Sequence, residues 1–164
     1  MYREIKGQAY SRREYMGGVP ASRITQFEHG KKADFGVRMT LRVVEQCQIR
    51  HIALEAARIS ANRYLAKKIG LTGYHLKIRV FPHNVIRENK IATGAGADRI
   101  SDGMRHAFGK PVGTAARVQR DQEIISLETT PNHFNDAKMA LKRAAIKLPS
   151  PCYIEVERGK QAAA

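Results

Sequence analysis

The stretch AARVQRDQEIISLETTPNHFNDAKMALKRAAIKLPSPCYIEV, residues 115–156, decides the fold class. Its alternating apolar residues predict strands at 115–120 and 123–129, and the intervening Asp-Gln pair predicts that they form a hairpin. A helical segment follows, and a short apolar run predicts a last strand at 152–156. Strands that flank a helix in this order are typical of an α+β protein with a mostly antiparallel sheet.

The helical segment of this stretch has clear start and stop signals. Thr130 is suited to be the N-cap, and Pro131 fits the first turn of a helix. Two prolines, Pro149 and Pro151, end the helix before the last strand. Its apolar residues recur at helical spacing and predict one buried face, made of Phe134, Ala137, Leu141, Ala144, Ala145 and Leu148.

The sequence before residue 115 predicts further strands. Residues 37–43 alternate between apolar and polar side chains and predict a half-buried strand with a basic outer face. Further strands are predicted at 76–80 and 85–91. The whole pattern predicts an α+β fold, a two-layer sandwich of helices on a mostly antiparallel sheet, in a single domain over residues 1–164.

Residues 49–69 are rich in alanine and contain neither glycine nor proline, so they predict a long helix that ends at Gly70. The apolar residues of this segment do not keep to one stripe, which predicts a helix covered on more than one side. One side has Ile52, Ala56 and Ile59, and another has Leu54, Ala57, Ala61 and Leu65.

The charge balance indicates a polyanionic partner. The chain has 29 Lys and Arg against 15 Asp and Glu, a net charge of +14. Self-repulsion of this size is usually offset by RNA, DNA or an anionic membrane surface, although a soluble cation-rich protein without such a partner is the alternative. The N-terminus is too polar for a signal peptide, and no segment approaches 18 consecutive apolar residues, so we expect a cytosolic protein without a membrane span.

Two segments concentrate cations among residues that suit nucleic acid. Residues 1–34 form a basic arm in which tyrosine and phenylalanine are interleaved with arginine and lysine. These aromatic side chains suit base stacking, or alternatively they pack on the core of an ordinary solvated leader. Residues 94–113, within TGAGADRISDGMRHAFGKPVGT, have no apolar periodicity and predict a long, flexible, glycine-rich internal loop.

The sequence gives little support for a catalytic or metal-binding motif. Cys47 and Cys152 are isolated and predict buried core thiols rather than a zinc site or a disulfide. The loop begins like a dinucleotide-binding fingerprint, but Arg99 stands where the third glycine belongs. Asp98 and Asp102 could act as general acid and base or as magnesium ligands, but such carboxylates more often hold neighbouring arginines or turn the chain. An RNA-acting enzyme and a free RNA chaperone are the remaining alternatives to a structural RNA-binding protein.

Three segments resemble one known family. They are YREIKGQAYSRREYMGGVP (2–20), ALEAARISANRYLAKK (53–68) and AGADRISDGMRHAFGKPVGTAARV (95–118). They are similar to the archaeal branch of the L-sixteen family of universal large-subunit ribosomal proteins, called L-ten-e in archaea and eukaryotes. The resemblance implies an α/β-hammerhead fold and a structural, non-catalytic role as a monomer within the cytoplasmic ribosome.

The resemblance also implies the partners. They are large-subunit rRNA near the aminoacyl-tRNA site and the stalk base, 5S rRNA, neighbouring large-subunit proteins and the tRNA acceptor arm, with no cofactor besides the structural Mg²⁺ of the rRNA. The loop would point toward the peptidyl-transferase centre and tRNA, through Arg99, Ser101, Asp102, Met104, Arg105, His106 and Lys110. The predicted rRNA contacts are Arg3, Lys6, Arg12, Arg13, Arg23, Lys31, Lys32, Arg38, Arg42, Arg58, Arg63, Lys77, Arg79, Arg117 and Arg120.

Overall fold

A computed structural model describes residues 3–9, 13–99, 101 and 103–159, without the side chains of Arg13 and His106. Within these residues the chain forms two helices, α1 (His51–Lys68) and α2 (Phe134–Ala145). It also forms eight strands: β1 (Glu28–Gly30), β2 (Val37–Val43), β3 (Cys47–Arg50), β4 (Tyr74–Ile78), β5 (Asn84–Glu88), β6 (Lys110–Val118), β7 (Glu123–Thr129) and β8 (Cys152–Arg158).

The strands divide between two antiparallel sheets. Five strands form one sheet in the order β1-β4-β7-β2-β8, and three form a second sheet in the order β3-β6-β5. The predicted α+β class with antiparallel pairing is therefore confirmed, although the strands do not belong to a single sheet. The α/β-hammerhead arrangement implied by the resemblance stays a prediction.

The helices pack on each other and cover one face of the five-stranded sheet. On that side β2 contributes alternating side chains, from Val37 to Val43, to the main hydrophobic core. Helix α2 contributes Ala137, Ala140, Leu141 and Ala144, which confirms the predicted apolar face in its centre. Neither helix of the described residues combines the length and apolarity needed to cross a bilayer.

The predicted hairpin between the strands at 115–120 and 123–129 is wrong. β6 pairs with β3 and β5, whereas β7 pairs with β2 and β4 in the other sheet. The turn between them docks on the end of β2: Asp121 N–H donates to the Val43 carbonyl at 2.9 Å, and Val43 N–H donates to the Gln122 carbonyl at 3.3 Å. Asp121 has a φ of 61°, a conformation that turns the chain from one sheet to the other.

Helix α1 begins later than predicted and is buried on one side. The residues before His51 form β3, in which Cys47 and Ile49 point into the core. The buried stripe of α1 is Leu54, Ala57, Ala61 and Leu65. The second apolar side is open, since Ile52 and Ile59 are 43% and 40% exposed, so the expected coverage on more than one side is wrong for this chain alone.

The glycine-rich loop lies earlier in the chain than predicted, because β5 ends at Glu88 and the last predicted loop residues belong to β6. Lys110 and Pro111 pair with Glu88 and Arg87 of β5, so residues 89–109 form the tip of a β5–β6 hairpin, called the hairpin tip below. β3 pairs only with residues 115–118 of β6, so Pro111 lies where β6 has a single neighbour and its missing N–H costs little. The flexibility of the loop stays a prediction.

The arm predicted over residues 1–34 is partly integrated into the sheets. β1 adds an edge strand next to β4, and Ile24 is buried in the core. Nearer the N-terminus, the carbonyl of Arg3 accepts the Gln48 N–H at 2.7 Å, and the carbonyl of Glu4 accepts the Gln48 side-chain amide at 2.7 Å. The arm therefore runs along the edge of β3 before it reaches β1.

Candidate nucleic-acid interface

The base of the hairpin tip is held by close contacts. The Arg87 guanidinium lies 3.3 Å from the ring centroid of Phe108, and its Nη1 donates to the Phe108 carbonyl at 2.8 Å. Gly109 has a φ of 81°, and a Cβ there would stand 2.8 Å from the carbonyl carbon of Glu88. These contacts attach residues 108 and 109 to the end of β5, from which the rest of the hairpin tip projects.

Beyond this base, the hairpin tip presents cations to solvent. Arg99, Met104 and Arg105 are exposed, and Ser101 accepts the Gly103 N–H at 3.2 Å through its hydroxyl. Lys110, also exposed, is the first residue of β6. Arg99 and Arg105 have no carboxylate within 4.0 Å among the described residues. The predicted contacts Asp102 and the side chain of His106 lie outside the described part of the chain.

A groove separates the hairpin tip from the N-terminal arm. On the arm side it is lined by residues 15–20, and on the hairpin side by Arg105 and residues 108–111. Its volume is about 810 Å³. Tyr15 is 68% exposed beside this space, and Phe108 is 53% exposed. We call this space the arm–hairpin groove.

The predicted arm contacts differ in how far the protein itself neutralises them. Arg3 forms an ion pair with Glu45, and Lys6 lies 3.4 Å from Glu4. The exposed side chains of Arg23, Lys31 and Lys32 have no carboxylate within 4.0 Å in the described ranges. Arg12 and the side chain of Arg13 lie outside the described residues.

The two arginines predicted for the outer face of β2, Arg38 and Arg42, are its partly exposed residues, but glutamates of other strands balance their charge on the open face of the five-stranded sheet. Arg38 lies 2.9 Å from Glu157, and Arg42 lies 3.0 Å from Glu123. These arginines are neutralised because β7 places Glu128 opposite Arg38 and Glu123 opposite Arg42 in the register, and Glu155 and Glu157 of β8 reach them from neighbouring positions. Other pairs on this face join Lys77 with Glu28, Arg79 with Glu123, Arg42 with Glu155 and Arg38 with Glu128.

The remaining predicted rRNA contacts are distributed over α1, β6 and the following turn. Arg58 is paired with Glu55 at 2.6 Å and contacts His29 Nε2 at 2.9 Å. Burial, and then the charge of Arg58, lower the pKa of His29. Arg63 is exposed. Arg117 donates to the Gly7 carbonyl at 2.5 Å, and Arg120 lies 3.7 Å from Asp121.

Sequence reasoning missed two residues of the interface. Arg87 and Phe108 fix the base of the hairpin tip, whereas the sequence pattern places Arg87 in a strand and Phe108 in a loop without predicting their contact. Phe108 is the only aromatic residue of the loop segment, and Arg87 lies in the strand just before it. An arginine and an aromatic residue that flank a glycine-rich loop are a usable signal for a cation–π contact at its base.

No metal centre accompanies these cations in the described residues. No group of three His, Cys, Asp or Glu side chains among them could hold a metal ion. Asp98 is exposed on the hairpin tip. Cys47 is buried in the core as predicted, whereas Cys152 is only partly buried and packs against it. Burial raises the pKa of Cys47, and it raises the pKa of Cys152 to about 11, so neither thiol is readily deprotonated.

Exposed cations on the arm and the hairpin tip, beside aromatic side chains and on an α+β scaffold, are the features expected of a basic nucleic-acid-binding protein. The comparison with known families identifies the family to which the chain belongs. Residues 5–155 match the model of the family described as "Ribosomal protein L16p/L10e", and the chain belongs to that family. Membership in a ribosomal protein family confirms the predicted resemblance and the prediction of a structural rather than a catalytic protein.

Relatives match over nearly the full length. "Large ribosomal subunit protein uL16" of Methanoculleus marisnigri is 57% identical over 163 residues, covering 99% of this chain and 96% of the relative. The protein of the same name from Thermoplasma volcanium is 54% identical, covering 99% and 93%. That from Archaeoglobus fulgidus is 52% identical, covering 98% and 92%. These relatives are archaeal, in agreement with the archaeal branch predicted from the sequence.

Proposed function

We propose that this protein is a structural constituent of the large ribosomal subunit, which binds rRNA through its N-terminal arm and body and directs its hairpin tip toward tRNA. The observation that supports this most strongly is the segregation of charge. Arg23, Lys31 and Lys32 of the arm and Arg99 and Arg105 of the hairpin tip are exposed without a carboxylate within 4.0 Å in the described residues, while the arginines of the sheet face are paired. A phosphate backbone would supply the missing counter-charge.

The finer placement follows from the family resemblance and is part of the proposal. The arm and the body fix rRNA helices near the aminoacyl-tRNA site and the stalk base, with 5S rRNA and other large-subunit proteins as neighbours. The hairpin tip points toward the peptidyl-transferase centre and supports the tRNA acceptor arm. No cofactor is required beyond the Mg²⁺ of the rRNA, and the protein acts as a monomer in the ribosome of the cytoplasm.

Sedimentation tests the coarse proposal. A lysate of the source organism is run on a sucrose gradient with and without RNase. We expect the protein to migrate with the large subunit at near-unit stoichiometry and to leave that position after RNase treatment. A protein found mainly at the top of the untreated gradient would overturn the proposal and favour a free RNA-binding factor.

A paired substitution tests the division of labour between arm and hairpin tip. Arg105→Ala with Lys110→Ala is expected to leave incorporation into subunits nearly intact and to weaken tRNA binding in the aminoacyl site. Lys31→Ala with Lys32→Ala, and equally Arg12→Ala with Arg13→Ala, are expected to weaken incorporation. If the hairpin pair alone abolished incorporation, this division would be wrong.

A further inference from the structure

The arm–hairpin groove has the dimensions of a ligand site and is not used by the contacts described so far. Its volume of about 810 Å³ lies within the range of roughly 300–1,000 Å³ that is typical of small-molecule sites. One wall is the turn from Tyr15 to Pro20, and the other is formed by Arg105 and the start of β6. Two separate parts of the chain therefore meet here and leave a space between them.

The aromatic side chains at this groove are unusually exposed for their size. Tyr15 is 68% exposed, although the adjacent Met16 is buried and anchors the turn. Phe108 is 53% exposed, and its ring also contacts Arg87. A flat aromatic face at the mouth of a groove suits the flat face of a nucleobase, because stacking buries both apolar surfaces.

The charge of the groove favours an anion. Arg105 and Lys110 line the hairpin wall, and none of the described lining residues is acidic. Glycines at 17, 18 and 109 remove side chains from the lining and let a ligand approach the backbone. Cations beside an exposed ring are the combination that holds a phosphate and its base at the same time.

We propose that the arm–hairpin groove takes one unpaired nucleotide of RNA, with the base stacked on Tyr15 and the phosphate at Arg105 and Lys110. This inference rests on the proposed function, since it specifies how the same interface recognises RNA. An unpaired nucleotide fits because the base faces of a duplex are covered by neighbouring base pairs. The groove thus recognises an unstacked base, while the cations of the arm recognise the backbone alone.

The test uses the full-length chain and a single-stranded RNA of about seven nucleotides with 2-aminopurine at its centre, a length within the site sizes of single-strand binders. The chain has no tryptophan, so protein fluorescence does not overlap the probe. Stacking on an aromatic ring quenches 2-aminopurine. We expect quenching by the unaltered protein and none when the same base is paired in a duplex.

Variants assign the quenching to the groove. Tyr15→Leu is expected to remove the quenching and to lower affinity about fivefold to a hundredfold, as loss of one stacked base does. Tyr15→Phe keeps the ring and should behave as the unaltered protein. Tyr153→Leu, which alters a partly exposed tyrosine on the sheet face, is the matched control and should change neither quantity.

A charge variant gives a second, independent readout. Arg105→Ala should lower affinity at low salt while leaving the quenching at saturation unchanged, and Lys138→Ala on α2 should have no effect. If the probe binds without quenching, or if Tyr15→Leu quenches as the unaltered protein does, the groove proposal is overturned. Failure of the proposed function is distinct, because it would appear as absence from the large subunit in the sedimentation experiment.

Discussion

His51, the first residue of α1, joins the helix to the N-terminal arm. Its Nδ1 accepts the backbone N–H of Arg23 at 2.8 Å, and its Nε2 lies 2.9 Å from the place that a Cβ on Gly113 would occupy. The ring is 7% exposed. Burial, followed by the charges of Arg50 and Arg23, lowers the pKa of His51, so the neutral ring that can accept this hydrogen bond is favoured in the folded state.

The lowered pKa of His51 predicts that the protein loses stability in mild acid. In the unfolded chain the histidine binds a proton below its ordinary pKa of about 6.5. The folded state binds that proton only at lower pH, so the free energy of unfolding falls as the pH is reduced below about 6.5. Urea titrations on either side of that pH measure the change.

The control for this prediction is His51→Gln, which cannot titrate. We expect a smaller dependence of the unfolding free energy on pH in this variant, with a remainder from His29, whose pKa is lowered in the same direction. Equal pH dependence in both proteins would contradict the role assigned to His51.

Gly109 predicts a local requirement for glycine at the base of the hairpin tip. Gly109→Ala is expected to lower the free energy of unfolding by about 1–3 kcal/mol, because the left-handed backbone and the close approach to Glu88 both oppose a Cβ. Gly17→Ala is the matched control: a Cβ there has nothing within 4 Å, and stability should change by less than about 1 kcal/mol. Chemical denaturation of both variants measures the difference.

At the scale of the element, α1 has one buried stripe and one open apolar side. Leu65→Ala is expected to destabilise the protein by about 2–5 kcal/mol, because Leu65 is fully buried. Ile59→Ala, on the open side of the same helix, should cost less than about 1 kcal/mol. Thermal and urea unfolding of the two variants compare the sides directly. Equal losses would mean that both sides are buried, as the sequence suggested.

The elements show which parts of the fold sequence can predict. The bounds of β2 and β7 agree with the alternation of their side chains, because that period is a local property. The partner of a strand is not local. The segments 115–120 and 123–129 have the pattern of a hairpin, yet the turn at Asp121 binds the end of β2 and sends each strand to a different sheet. The start of α1 was misjudged because β3 runs into the helix without a break.

At the scale of the whole molecule, the excess of cations is unevenly distributed. The sheet face neutralises its arginines with glutamates from β7 and β8. In the described residues, no carboxylate lies within 4.0 Å of Arg23, Lys31 or Lys32 of the arm or of Arg99 or Arg105 of the hairpin tip. Composition alone predicts a polyanionic partner. It does not distinguish Arg42, which is paired with a glutamate, from Lys32, which has no carboxylate within 4.0 Å in the described residues. The difference depends on the register of strands that are distant in sequence.

This distribution predicts which cations contribute to the salt dependence of RNA binding. Lys31→Gln with Lys32→Gln should lower the slope of log affinity against log salt by about 1 to 2, since each lost phosphate contact removes roughly one released counterion. Arg38→Gln with Arg42→Gln should leave the slope nearly unchanged and lower stability instead. Filter binding of large-subunit rRNA over a salt series measures both slopes, and a larger loss from the second pair would contradict the segregation of charge.

The order of strands in the five-stranded sheet also determines when, during synthesis of the chain, β2 can pair with its neighbours. β2 is complete at Val43, but both of its neighbours, β7 and β8, come from residues 123–129 and 152–158. A nascent chain that has reached only residue 122 therefore has both edges of β2 unpaired and its arginines without their glutamates. Such edges are templates for aggregation, so the first 122 residues expose the pairing edges of β2 until β7 and β8 have been synthesised.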